Sequence, residues 1–172
     1  MITALQTIVS RSIDPLESAV ISMCEFHAGS ARNVIPQTAE LRGTVRALTA
    51  EVRALVEKRV REVVAGIAQI TGAKIDLVYG RGYPVVVNHA RQTEFATQVA
   101  KEVAGDANVH EMPPLMGAED FAYMLQQRPG AFIFCGNGNS AGLHHPAYNF
   151  DDNAIVFGTS YWIRLVENTL AA

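Results

Sequence analysis

A long apolar stripe at helical spacing is the feature that most constrains this 172-residue chain. Between Thr49 and Gly72 the apolar residues recur every three or four positions, which places them on one face of a helix of about five turns. They are Val52, Leu55, Val56, Val60, Val63, Val64, Ile67 and Ile70. Thr49 is predicted to cap the start of this helix, and Gly72 to end it. Such a helix has to cover its apolar face, so we expect a packed core around it.

The residues on either side of this helix predict further helices and strands. An N-terminal helix begins at Ile2 and stops near Pro15, because proline lacks a backbone donor and restricts the residue before it. Strands are predicted over residues 18–27 and 38–48. The second alternates apolar and polar residues, as a sheet with one covered face requires. With another strand predicted at residues 75–79, the order resembles a ferredoxin-like pattern that lacks its first strand.

A polar stretch at residues 88–92 marks a predicted border between two domains, residues 1–88 and 89–172. After it we predict a helix around residues 95–103, a short strand at Val109 and a short helix within 116–126. A buried strand is predicted at 131–135, followed by a glycine-rich loop at 136–142. Asp151 and Asp152 are predicted N-caps for a last helix. Helices and strands mixed in this way predict an α/β (α+β) fold.

The overall composition excludes several classes of protein. The net charge is −3, and the clustered Lys/Arg pattern of a nucleic-acid binder is missing from the sequence. No apolar run approaches the roughly 20 residues that span a bilayer, and no secretory signal is visible at the start. The two cysteines, Cys24 and Cys135, are too few for a disulfide framework. We therefore predict a cytoplasmic protein in which both cysteines are small buried residues.

Few residues suggest chemistry when they are read without further context. His144 and His145 follow the glycine-rich loop, but adjacent side chains seldom reach one ion, and a metal site needs three or four ligands. Arg42 and Arg46 lie on the polar face of one strand, where a guanidinium can bind a carboxylate or simply be solvated. Strand alternation separates Cys24 from His27 and places His27 beside Glu25 as a polar contact. The acids at 119 and 120 fit either a site or a helix cap.

Five motifs follow one another in an order that resembles one family. They are FHAGSARNVIPQTAELRGTVRAL, YGRGYPVVVN, MGAEDFAYML, PGAFIFCGNG and LHHPAYNFDD. Together with the opening ALQTIVSRSIDPLESAVIS they resemble the hippurate hydrolase and auxin-conjugate hydrolase branch of the aminoacylase-like metallopeptidases. The resemblance covers essentially the whole chain. It implies that residues 1–88 are a ferredoxin-like lid and dimerisation domain without its first strand. Residues 89–172 would be the C-terminal part of the α/β catalytic domain.

The resemblance also implies roles for individual residues. His144 matches a metal ligand, and the divalent ion would be Zn, Mn, Co or Ni. Asn33 matches a lid residue that contacts substrate, and Arg46 matches an arginine that binds the carboxylate of an N-acyl amino acid. Glu119 matches a loop beside the site, and His27 is added as a polar contact to substrate. The lid implies a homodimer or a higher oligomer.

Most of the catalytic groups of this family lie ahead of its lid: a Cys-x-His pair, a Glu-Glu pair with the general base, and another histidine. No such segment occurs here, so we expect no catalytic residue in this chain, a metal that is absent or weakly bound, and no activity alone. The leading reading is a piece of an amidohydrolase that cleaves N-acyl amino acids to a carboxylic acid and an amino acid. The alternatives are a stand-alone carboxylate-binding or dimerisation module, and a subunit that completes a site with a partner chain.

Overall fold

A computed structural model describes residues 1–170 and divides them into two compact units. The first comprises Met1–Val85 and Pro114–Glu119, and the second comprises Val86–Pro113 and the chain from Asp120 onward. The elements are α1 (Ile2–Ser12), β1 (Ala19–Ala28), β2 (Ala39–Ala47), α2 (Ala50–Thr71), α3 (Ala90–Ala104), a 3-10 turn (Asp106–Asn108), α4 (Phe121–Gln127) and α5 (Asn153–Leu170). The mixed α/β content is as predicted. No helix within residues 1–170 is long and apolar enough to cross a membrane.

The core of the first unit lies between the two helices and one face of an antiparallel β1–β2 sheet. Its buried members are Leu5, Ile8, Ile13, Ala19, Ile21, Val52, Val56, Val60 and Val64. The predicted helix signals are confirmed. The Thr49 hydroxyl accepts a hydrogen bond from the Val52 amide at 3.2 Å, and Gly72 ends α2 in the left-handed conformation at φ 69°. The buried part of the α2 stripe follows from its spacing, since the valines at every fourth position, 52, 56, 60 and 64, lie in the core.

A β-bulge at Cys24 reverses the alternation of β1 midway along the strand. Met23 pairs with Gly43, but the next pair is Glu25 with Arg42, which leaves Cys24 unpaired. Glu25 therefore lies on the opposite face from Met23, whereas uninterrupted alternation would put both on one face. The prediction that Cys24 and His27 lie on opposite faces assumed uninterrupted alternation, and the bulge at Cys24 breaks that alternation. Both cysteines are also exposed and form no disulfide bond, and their exposure corrects the prediction that they are buried.

The strand predicted at residues 75–79 is wrong, although its apolar residues do pack. Ile75, Leu77 and Tyr79 lie half-buried against the core, while the segment forms no strand. Side chains of α2 hold the chain just beyond it: Arg53 donates to the Gly82 carbonyl at 2.7 Å, and Glu57 pairs with Arg81. A strand requires a neighbouring backbone to pair with. Among the described residues the only such ladder is the one between β1 and β2.

The second unit contains fewer buried residues and none of its predicted strands. Its buried apolar residues are Ala96, Val99, Ala122, Leu125 and Tyr161. The strand expected at 131–135 is exposed at Ile133 and Phe134, and the one at Val109 is also missing. The backbone of Phe132 instead bonds to one side chain, because Asn88 both donates to its carbonyl and accepts from its amide at 2.8 Å. An amide side chain thus takes the place of a partner strand.

Candidate functional site

The polar face of the β1–β2 sheet carries a cluster of four ionisable residues. His27 Nε2 lies 3.0 Å from Glu25 Oε2, which confirms that these two share a face. On β2, Arg42 donates to Glu40 at 2.8 Å and lies 3.7 Å from Glu25. The hydrogen bond from Arg42 lowers the pKa of the Glu40 carboxyl. Arg42 is therefore engaged by two carboxylates, and its guanidinium already has anionic partners within the sheet.

Arg46 lies on the same face and has no acidic partner among the described residues. It pairs across the sheet with Val20, is exposed, and donates from Nη1 to the Met116 carbonyl at 2.9 Å. The hydrogen bond to the Met116 carbonyl thus orients one edge of the guanidinium. No carboxylate in residues 1–170 pairs with its charge. Of the two arginines on this face, Arg46 is the one available to bind an anion.

The contact with Met116 brings Arg46 to the segment that contains Glu119, in the same unit. Glu119 is half-buried, and its carboxylate has no hydrogen bond or ion pair to any other described side chain or backbone group. The helix-cap alternative is not seen for Asp120, which precedes α4 without a capping hydrogen bond from its side chain. The acids at 119 and 120 are therefore not explained by capping.

Asn33 lies in the connection between β1 and β2, away from regular structure. The connection turns at residues 31–34, where the Val34 amide donates to the Ala31 carbonyl at 3.4 Å, and Asn33 is exposed. No described group hydrogen-bonds to its amide side chain. Asn33 therefore presents a donor and an acceptor on an exposed turn.

His144 has an unusual backbone in the loop between residues 137 and 151. Its φ is 66°, which makes it the one non-glycine residue with positive φ in the described chain. Residues with a β-carbon rarely adopt this region, and such strain is found preferentially at functional positions. The side chain is exposed, and its imidazole makes no hydrogen bond to residues 1–170. Both ring nitrogens of His144 are thus available.

The neighbouring His145 is in a different position, because its ring already binds the backbone. Its Nδ1 accepts a hydrogen bond from the Ala147 amide at 3.0 Å. A neutral imidazole that accepts at Nδ1 carries its proton on Nε2, so neither nitrogen then offers a lone pair to a metal. Of the two adjacent histidines, only His144 can act as a ligand without breaking a hydrogen bond.

Asn137, which the sequence analysis did not single out, closes the loop that carries His144. Its Oδ1 accepts from the Asp151 amide at 2.7 Å, and its Nδ2 donates to the Asn149 carbonyl at 2.8 Å. The same Nδ2 lies 2.9 Å from the Ser140 hydroxyl. Its position within a run of glycines is the one available sequence signal, since asparagine often bonds to nearby backbone in turns.

These residues do not form a metal centre by themselves. No group of three or more His, Cys, Asp or Glu side chains in the described range is placed to hold an ion. His144 offers one imidazole, whereas a protein metal site requires three or four ligands. The described chain therefore fits one ligand position and not a complete site.

Comparison with known proteins identifies the family. Residues 7–168 match the peptidase family M20/M25/M40, and the chain belongs to that family. It is 39% identical over 166 residues to a hippurate hydrolase from Campylobacter jejuni, covering 96% of this chain and 43% of that protein. It is 38% identical over 161 residues to an N-acetyldiaminopimelate deacetylase from Streptococcus thermophilus, covering 92% of this chain and 42% of that one. The chain thus spans less than half the length of these curated relatives.

A solved structure resembles the fold as well. It is a Bacillus subtilis protein described as a dinuclear metal binding peptidase from the M20 family. The two superpose with a TM-score of 0.73 at 33% identity, covering 99% of this chain and 46% of the other. The predicted family is therefore confirmed by sequence and by structure, and a divalent metal is supported for the family.

Proposed function

We propose that this chain forms part of a metal-dependent amidohydrolase that cleaves N-acyl amino acids into a carboxylic acid and an amino acid. Its likeness to a hippurate hydrolase and to an N-acetyldiaminopimelate deacetylase supports this substrate class, because both names describe N-acylated amino acids. The single observation that carries the proposal is the conformation and exposure of His144. It combines a strained backbone, an exposed ring and two available nitrogens.

In this proposal His144 supplies one ligand to a divalent ion, Zn, Mn, Co or Ni, and the other ligands and the general base come from outside these residues. Residues 1–88 serve as the lid and dimerisation domain, and residues 89–172 as the C-terminal part of the catalytic domain. The exposed apolar side chains of α5 support the second assignment, since a helix with so much apolar surface is suited to packing against further structure. A cytoplasmic location remains part of the proposal, as both cysteines are free.

Substrate binding is assigned to four residues of the first unit. Arg46 would bind the carboxylate of the amino-acid part, with Asn33 and Glu119 contacting polar groups of the substrate. His27 is the fourth, although its bond to Glu25 has to be shared or broken for this purpose. The available charge on Arg46 supports its role most directly, because Arg42 beside it is already paired.

The activity of the isolated chain tests the first part of the proposal. The purified 172-residue chain, supplied with Zn, Mn or Co, is expected to release no glycine from hippurate above a His144→Ala control. Metal-dependent turnover well above that control would contradict the proposal, because it would require a complete site within the chain. A stand-alone module that binds carboxylates without catalysis is the alternative. This alternative predicts that calorimetry detects hippurate binding and that Arg46→Ala abolishes it. It also predicts that the chain stays inactive when it is joined to the N-terminal part of a relative, as in the chimera described next.

The chimera joins this chain to the N-terminal part of the Campylobacter jejuni hippurate hydrolase, which should restore hydrolysis. In it, His144→Ala is expected to reduce activity to background, whereas His145→Ala retains most of it. The reverse pattern would show that the ligand has been assigned to the wrong histidine. Arg46→Ala should lower kcat/KM by roughly tenfold to hundredfold, the loss of a charged hydrogen bond. Arg42→Ala on the same strand face is the matched control and should change kcat/KM far less.

Self-association tests the assigned dimerisation domain. A two-stranded sheet leaves unpaired backbone groups along its outer edges, and exposed edges favour pairing with another chain. We expect sedimentation velocity to show a dimer or larger species at micromolar concentration. A clean monomer under those conditions would contradict the assignment of residues 1–88.

A further inference from the structure

The Asn137 side chain joins both ends of the loop from residue 138 to residue 148. Its acceptor takes the Asp151 amide at one end of the loop. Its donor reaches the Asn149 carbonyl at that end and the Ser140 hydroxyl at the other. Asparagine can make both kinds of bond at once because its amide carries an acceptor oxygen and a two-proton donor. One half-buried side chain thus closes the loop.

The far end of the loop is anchored to a helix by Asp151. Its carboxylate accepts from the Asn153 backbone amide at 3.0 Å and from the Asn153 side chain at 2.8 Å, at the start of α5. Gly138 fits closely here: its φ is 67°, and a β-carbon there would lie 3.4 Å from Asp151 Oδ2. Through the Asp151 amide, Asn137 therefore connects the loop to the start of α5.

Within the closed loop, His144 keeps a backbone conformation that costs energy. Positive φ is unfavourable for a residue with a β-carbon, so surrounding hydrogen bonds have to maintain it. The tight turn beside it contributes: His145 donates its amide to the Gly142 carbonyl, and Tyr148 donates to the His145 carbonyl. The His144 ring has no described partner of its own, so its placement depends on the loop backbone.

We infer that Asn137 is a positioning residue for His144: by closing the loop it maintains the backbone that presents the His144 ring outward. This inference rests on the proposed function only in giving that ring a ligand role. The claim about conformation concerns residues of this chain alone and can be tested without activity.

The experiment compares three variants of the 172-residue chain by NMR. Asn137→Ala removes all three bonds, and Asn137→Asp keeps an acceptor for the Asp151 amide but loses both donors. Asn108→Ala is the matched control, because Asn108 is an exposed asparagine of the same unit that donates to the Ala104 carbonyl at 2.8 Å. Circular dichroism verifies that each variant retains the helix content of the parent.

Two measurements report the loop directly. In Asn137→Ala the Asp151 amide should exchange with solvent at least roughly tenfold faster, as expected for the loss of a hydrogen bond to a partly buried donor. The coupling between the amide and α protons of His144, which depends on φ, should move away from its parental value. Asn137→Asp should keep most of the Asp151 protection, and Asn108→Ala should change neither measurement. Unchanged exchange and coupling in Asn137→Ala would overturn the inference.

Zinc titration separates this inference from the proposed function. In the parent chain, zinc should shift the His144 ring resonances, more weakly in Asn137→Ala, with an apparent affinity roughly tenfold lower. A zinc response equal in the parent and in Asn137→Ala would overturn the positioning role and leave the ligand assignment intact. A parent chain in which zinc leaves the His144 ring resonances unchanged would overturn the ligand assignment, while exchange and coupling would still decide the role of Asn137.

Discussion

The two units place similar apolar patterns in opposite environments. In the first, the four valines of α2 at positions 52, 56, 60 and 64 are buried, and Val56 is 0% exposed. In the second, α5 carries apolar residues at comparable spacing, but Ile163 is 56% and Trp162 64% exposed, and Tyr161 is its one buried residue. The difference shows that the spacing of apolar residues predicts which face of a helix can be buried. Whether that face is buried depends on another element of the fold being close enough to pack against it.

Their polar contacts differ in a corresponding way. The first unit is built on a backbone ladder between β1 and β2, with side chains of α2 fastening the chain beyond it. The second unit contains no ladder among the described residues, and asparagine side chains substitute for backbone partners at Asn88 and Asn137. Three substitutions, each with a matched control, test how the first unit is stabilised, and two of them compare it with the second.

The largest effect is expected from shortening one isoleucine in each unit. Ile8→Ala removes a side chain that is 1% exposed in the first core, and should reduce the free energy of unfolding by about 2–5 kcal/mol. Ile163→Ala makes the same change on α5 and should alter it by no more than about 0.5 kcal/mol. Urea unfolding followed by circular dichroism measures both. Equal losses would show that α5 is covered in solution, and the contrast between the units would fail.

An intermediate effect is expected at two glycines of the first unit. A β-carbon at Gly43 would overlap the Ser22 carbonyl oxygen and lie 3.2 Å from Met23 Cα, next to the bulge. Gly43→Ala should therefore cost about 1–3 kcal/mol, because backbone rather than a flexible side chain has to move. Gly66 in α2 has open space at this position, and Gly66→Ala should instead stabilise by about 0.5–1 kcal/mol. A harmless Gly43→Ala would mean that the bulge does not require glycine opposite it.

The smallest effect concerns the pH dependence of stability. Hydrogen bonds from Arg61 and Arg81 lower the pKa of the Glu57 carboxyl. A lowered pKa stabilises the fold above the ordinary value of 4.5, and this contribution is lost as the pH falls through the depressed pKa. Glu57→Gln should thus reduce the melting temperature modestly at pH 7, and the difference from the parent should shrink below about pH 4.

The control for Glu57 is Glu167 on α5, an exposed residue paired only with Arg164 at 3.2 Å among the described groups. Glu167→Gln should leave the melting temperature nearly unchanged at every pH, because exposed ion pairs contribute little. A melting-temperature difference for Glu57→Gln that stays constant from pH 7 to pH 3 would contradict the assigned cause.

Local signals were sufficient to predict much of the first unit. The Thr49 cap, the Gly72 terminus and the spacing of the α2 valines all act within a few residues of the chain. The strand at 75–79 was mispredicted because alternation alone does not supply a neighbour for its backbone groups. The apolar run at 131–135 failed for the same reason, and its backbone turned to Asn88 instead.

The sequence by itself determined the helices, the paired strands, the family, and the candidates Asn33, Arg46 and His144. Tertiary structure decided which of these groups are available. A single unpaired residue at Cys24 moved His27 to the polar face, and a bond from the Ala147 amide occupied His145 while leaving His144 available. The physical reason is the distance along the chain between the interacting groups. Helix caps and apolar spacing depend on residues that are close in sequence. Strand register, histidine tautomer and loop closure depend on groups that meet only in the folded chain.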